Sequence, residues 1–179
     1  WHQCPQLTSL RLGADAVDAG GGSLDLALLP DSLEHLSLGA VTVLGCWRDL
    51  PKGLRSLRLD GTLLPLDGPE QQFPVFPQLT KLAMRLWAYR VGWTPSAVLE
   101  HMFPAVQECT LSGITDDVWS WPCWSRLASL RSVEWSGSPW RRLQVPATAL
   151  AVVLPPHVEL MLDHIGLSGW QDPVALSAI

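Results

Sequence analysis

Pro51-Lys52-Gly53-Leu54-Arg55-Ser56-Leu57-Arg58-Leu59 is a proline-led turn followed by leucines at the first, fourth and sixth places of a six-residue motif. The same L-x-x-L-x-L stretch precedes it at Leu33 to Leu38, behind Pro30, and at Leu7 to Leu12, behind Pro5. It returns at Leu79-Thr80-Lys81-Leu82-Ala83-Met84 behind Pro77, at Val106-Gln107-Glu108-Cys109-Thr110-Leu111 behind Pro104, and at Leu130-Arg131-Ser132-Val133-Glu134-Trp135. The first anchors fall at 7, 33, 54, 79, 106 and 130, giving spacings of 26, 21, 25, 27 and 24 residues. A recurrence in that range marks a chain built from stacked coils, each with one short strand and one return path. A seventh copy, Pro155 to Leu162, keeps the last two anchors as Leu160 and Leu162 but puts His157 at the first, and reads as a degenerate terminal repeat.

The last two anchors of each copy lie two residues apart, so they share one face of a strand while the residues flanking them take the other. A single copy could not bury its own leucines; copies stacked in phase make one continuous core. The composition agrees: 32 Leu stand against 17 Val plus Ile, and 47% of the 179 residues are apolar, enough for a sizeable core.

The six phased copies resemble the leucine-rich repeat family over nearly the whole chain. The Leu-Pro lead-ins at Leu29-Pro30 and Leu50-Pro51 are similar to the short, irregular repeats of bacterial-effector and protist proteins. The resemblance implies an α/β fold: a leucine-rich repeat solenoid with a curved parallel β-sheet of about six strands on the concave face and irregular loops or short helices on the convex face. One domain spanning 1–179, with six to seven irregular repeats, is expected. Because the chain starts with Trp1 rather than Met, it is expected to be a piece of a longer one. The departure from the family lies eight residues after each first anchor, where an Asn normally bonds turn backbone. Here the residues are Asp15, Val41, Thr62, Trp87, Ile114 and Ser138, of which Asp15, Thr62 and Ser138 carry a side chain able to substitute.

Glycine follows most strands, at Gly13, Gly39, Gly61, Gly113 and Gly137, where a chain turning out of a strand often needs positive φ. The returns differ in kind. Thr94-Pro95 is a cap followed by a helix-initiating proline, predicting about two helical turns before Phe103 with Val98, Leu99 and Met102 inward. The stretch from Gly61 to Pro77, with Pro65, Gly68, Pro69 and Pro74, reads as turn-rich loop, and Gly20-Gly21-Gly22 as an excursion in the first return.

Several function classes lose support. A net charge of −5 with 12 Lys and Arg against 17 Asp and Glu disfavours nucleic acid as a partner. The longest aliphatic run, Ala149 to Leu154, is far short of the ~18 residues of a membrane span. No phosphate loop, G-x-G-x-x-G, H-E-x-x-H or G-x-S-x-G occurs, so no enzyme activity and no cofactor are expected. His157, Glu159, Asp163 and His164 cluster in sequence but fit no standard metal spacing, and read as solvated strand and turn residues. Cys4, Cys46, Cys109 and Cys123 form no C-x-x-C pair and read as reduced thiols, in keeping with a cytoplasmic location.

What remains is surface recognition. The outward residues at the third motif place are Ser9, His35, Ser56, Lys81, Glu108 and Ser132; at the fifth they are Arg11, Ser37, Arg58, Ala83, Thr110 and Glu134. Cations gather in the first four coils and anions in the next two, a bipolar face suited to orienting a charged partner. The competing account is a solvated ladder of cross-strand pairs, Lys81 with Glu108 and Asp60 with Arg85. The expected function is a non-enzymatic module that binds a protein partner, whose identity the pattern does not encode, through Arg11, His35, Arg58, Lys81, Arg85, Glu108 and Glu134. The alternative is a substrate-recognition segment of a larger enzyme or ubiquitin-ligase assembly. Of the ten tryptophans, Trp135, Trp87 and Trp140 are expected in or near the core, while Trp119, Trp121 and Trp124 lie in a return segment and form either core or a second contact surface.

Overall fold

The computed structural model describes residues 4–13, 23–62, 64, 73–85, 95–114, 122–137, 143–146, 154–163 and 165–168. Every L-x-x-L-x-L copy opens on the same turn. The amide of the first anchor donates to the carbonyl three residues back, Leu33 to Pro30 at 3.1 Å, Leu54 to Pro51 at 3.4 Å and Leu79 to Phe76 at 3.2 Å. In the Leu79 copy the proline sits one place later, at Pro77, the second turn position for which its fixed φ is suited.

From these turns emerge β1 (Ser9–Leu12), β3 (His35–Gly39), β5 (Ser56–Asp60), β6 (Lys81–Arg85), β7 (Glu108–Ile114), β8 (Ser132–Gly137) and β10 (Glu159–Asp163). They form one parallel sheet in that order, each strand beside the next copy's strand. Among the described residues the sheet has seven strands rather than about six, because the degenerate seventh copy pairs with β8. Shorter parallel pairs join neighbouring returns: β2 (Leu24–Asp25) with β4 (Val43–Leu44), and β9 (Leu143–Pro146) with β11 (Ile165–Ser168). The chain is a parallel β-solenoid with few helices.

The register places like anchors side by side. Leu10, Leu36, Leu57, Leu82, Cys109, Val133 and Leu160 are successive partners across the sheet, and Leu12, Leu38, Leu59, Met84, Leu111, Trp135 and Leu162 form the second row. From Leu36 to Val133 and from Leu38 to Trp135 both rows are buried. Aromatic rings fill the space behind them. Phe76 and Phe103 stack at 5.8 Å between centroids, and Trp47 meets them at 6.3 and 5.7 Å while its Nε1–H donates to the carbonyl of Leu64 at 3.1 Å. Trp124 packs against Trp135 at 5.7 Å, which explains how an indole fits at a leucine anchor. The predicted helix is present as α1 (Pro95–Met102), with Leu99 and Met102 buried. Thr94, its expected cap, lies outside the described residues.

Two expectations are corrected. The first anchor of the seventh copy is Val158, not His157: the Val158 amide donates to Pro155 at 3.0 Å, and His157 is exposed. The copy is therefore one residue short, V-x-L in place of L-x-x-L. Elsewhere one carbonyl receives two amides of the next coil, as Glu34 does from Arg55 (2.8 Å) and Ser56 (3.0 Å); Arg131 receives only Glu159, at 2.8 Å. Positive φ after a strand holds at Gly61 (85°); at Gly113 (69°) it falls inside β7, where the register shifts, and it is not found at Gly13 or Gly137. After β3 the left-handed residue is Ala40, φ 51°, because Gly39 still pairs with Asp60 in the ladder and the reversal comes one residue later.

The missing asparagine ladder keeps one rung. Thr62 is buried, and its hydroxyl accepts from the Val41 amide (3.2 Å) and reaches the Val41 carbonyl (3.4 Å), bonding one coil to the preceding one. Asp15, Trp87 and Ser138 lie outside the described residues, as do Gly20 to Gly22, most of the Gly61–Pro77 loop, Trp119, Trp121, Trp140 and His164.

Candidate functional site

With the leucine rows turned inward, the alternation of a strand leaves the intervening residues on the opposite, solvent side of the sheet. The fifth-place row reads Arg11, Ser37, Arg58, Ala83, Thr110, Glu134 and Met161. Ala83 is the smallest member, and it stands between the long side chains of Arg58 and the hydroxyl of Thr110. Over it opens a groove of about 270 Å³, lined by Arg58, Asp60, Ala83, Arg85, Thr110, Ser112, Glu134 and Ser136 together with the backbone edges of Leu59 and Met84.

The groove has charge at both ends. On β5, Arg58 and Asp60 are two residues apart and so face the same way; the Arg58 Nη2 lies 3.1 Å from the Asp60 Oδ2. The other oxygen of Asp60 lies 3.7 Å from the Arg85 Nε on β6. Both guanidiniums remain well exposed, Arg58 at 60% of its side chain. At the far end the Glu134 Oε2 accepts a hydrogen bond from the Thr110 hydroxyl at 3.2 Å. Three strand spacings of ~4.8 Å separate Arg58 from Glu134, about 14 Å between backbones.

Of the residues read from the sequence, the structure gathers Arg58, Arg85 and Glu134 at this groove. Lys81 and Glu108 occupy the neighbouring third-place row and pair with each other at 2.8 Å, side chains 58% and 51% exposed. His35 stands there too, between Ser9 and Ser56. Arg11 is exposed on β1, beside Ser37 and away from the groove. The solvated ladder is thus real at both expected pairs, Lys81–Glu108 and Asp60–Arg85. Exposed pairs of this kind hold with ~0.2–1 kcal/mol each, so they order the face without closing it to a partner. Trp124 belongs to the core, buried against Trp135.

Ser112, Ser136 and Asp163 were not among the residues singled out by the motif. They occupy the place directly after the last anchor, beside Arg85, and Ser136 donates to Asp163 at 3.2 Å. Carrying the two-residue alternation one step past L-x-x-L-x-L finds the whole row. Among the described residues no group of three or more His, Cys, Asp or Glu side chains is arranged to hold a metal ion, and no helix is long and apolar enough to cross a membrane. No protein-family model, curated protein or solved structure matches the chain.

Proposed function

We propose that this chain is a leucine-rich-repeat-type solenoid, with an α/β-like convex side, that binds a protein partner on the solvent-facing side of its seven-stranded sheet and performs no catalysis itself. The observation that carries this reading is the groove over Ala83: a cleft lined by both charge signs on a sheet whose other face packs against the core. A rigid ladder holds Arg58 and Glu134 at fixed separation, which favours recognition by complementarity. Its volume lies just under the ~300–1,000 Å³ of pockets that enclose small ligands, so partner side chains suit it better than a buried metabolite. A cytoplasmic location belongs to the same proposal and rests on the spacing of the cysteines.

The test is a purified partner, obtained by affinity capture and measured by calorimetry against variants. Arg58→Ala is expected to weaken binding by about 1–3 kcal/mol while changing stability by no more than about 0.5 kcal/mol, because its side chain is exposed and its ion pair weak. An affinity that survives Arg58→Ala and Glu134→Ala but collapses on Trp121→Ala, without unfolding, moves the contact to the return segment.

A further inference from the structure

The geometry points to the form of the partner: an extended peptide segment lying across the strands, with an acidic side chain over Arg58 and a basic side chain four residues away from it over Glu134. This rests on the reading of the sheet face as a protein-binding surface and specifies what that surface selects.

The argument starts from the donors and acceptors left at each end. A guanidinium has five N–H donors, and Arg58 directs one nitrogen to Asp60, leaving an exposed fork for a second carboxylate. Glu134 uses Oε2 for the Thr110 hydroxyl, and its other oxygen remains an acceptor for an ammonium or guanidinium. Between them the sheet offers only Ala83 and the short Thr110, so a backbone can approach there with a charged residue at each end.

Length then fixes spacing. The two ends are about 14 Å apart, and an extended chain advances ~3.4 Å per residue, so four residues cover the distance. Residues four apart in an extended segment also point the same way, both toward the sheet, as does the residue midway between them. That middle residue falls above Ala83 and Thr110, where a small or β-branched side chain fits the groove. A helical segment would need roughly nine residues for the same span at 1.5 Å each, and its cylinder of ~10 Å is bulky for a groove of about 270 Å³. Met161, 45% exposed and paired in register with Glu134, supplies an apolar surface for the stem of the basic side chain. The charges set the placement, acid toward β5 and base toward β8, and a segment of either chain direction can meet it.

The experiment selects short random peptides by display on the folded chain, then measures chosen peptides by fluorescence anisotropy. Enrichment of an Asp or Glu and a Lys or Arg four positions apart, in either order, is expected, with about a tenfold or greater loss of affinity on Arg58→Glu or on Glu134→Lys. The double variant Arg58→Glu/Glu134→Lys should regain the affinity for acid–base peptides that each single variant loses, a rescue that a merely unfolded variant cannot give; circular dichroism checks each fold. Selected peptides that lack the spacing yet weaken on Arg58→Glu overturn this inference and leave the surface reading standing. Selected peptides indifferent to both swaps overturn the two together, and failure to select any peptide overturns the extended-segment inference.

Discussion

Leu57→Ala probes the stacked register where it is most constrained. Leu57 is 1% exposed, with Leu36 and Leu82 as its partners on either side and strands paired to both edges of its own. Truncation removes three carbon groups from a dry site, about 2.4 kcal/mol at ~0.8 per group. The neighbours are held by parallel ladders on both flanks and collapse only partly, so a cavity term adds to that, bringing the loss to about 3–4 kcal/mol, inside the ~2–5 observed for such truncations. The same change at Leu160 should cost about 1 kcal/mol, since this leucine is only half-buried on the outermost strand of the sheet. Urea unfolding followed by tryptophan fluorescence and by circular dichroism would compare the two variants at equal m-value. On heating, the Leu57 variant should melt about 6–16 °C below the parent, at ~2–4 °C per kcal/mol for a chain of this size. Equal losses at the two positions, or a loss below about 1 kcal/mol at Leu57, would refute the phased row and with it the outward assignment of Arg58.

Two further substitutions test the connections between coils. Thr62→Val keeps the shape but strands the Val41 amide, which is bonded to the buried hydroxyl, and should cost about 1–3 kcal/mol, whereas Thr62→Ser should recover most of it; equal urea midpoints for parent and valine variant would contradict the rung. Gly45→Ala should cost about 1–3 kcal/mol, because Gly45 has φ 108° and a new Cβ would lie 2.8 Å from the Asp49 Oδ2 that caps the Cys46 amide at 2.7 Å. Gly53→Ala, whose Cβ would meet nothing nearer than 3.4 Å and whose φ is ordinary, is the tolerated control.

The main sheet was legible because its signal is local and repeated: the spacing of Leu54, Leu57 and Leu59 fixes which side chains share a face, and six phased copies fix the stacking. The helix at Pro95–Met102 was legible for a similar reason, since proline at a first turn is a local instruction. The start of the seventh copy is hidden in the sequence because its motif is shorter than the other six. The turn hydrogen bond into Val158 shows that a residue is missing between the first two anchors, and a deletion leaves no mark in composition. The left-handed residue at Ala40 was hidden in another way. Glycine suggests positive φ, but the length of the ladder decides where the reversal falls, and ladder length is a property of two strands at once. The groove was half legible. Arg58, Arg85 and Glu134 follow from the frame, while the cleft exists because Ala83 is short beside Arg58 and Thr110, a relation between three coils that no single copy displays.

The position of the groove within the array bears on how well it can discriminate. Its lining comes from β5, β6, β7 and β8, each of which has a strand neighbour on both sides, and beneath it Leu57, Leu82, Cys109 and Val133 are buried together. In a solenoid each coil is stabilised chiefly by its neighbours, so opening is easiest at the ends and hardest in the middle. β10, paired on one side among the described residues, shows the contrast: a shortened motif, one fewer inter-coil hydrogen bond and anchors only half-buried. A recognition surface placed on β10 would share that looseness and lose affinity to ordering on every encounter. Placed on the central strands, Arg58 and Glu134 keep their separation before a partner arrives, and the entropy of fixing that distance is already met by the packing of the leucines below.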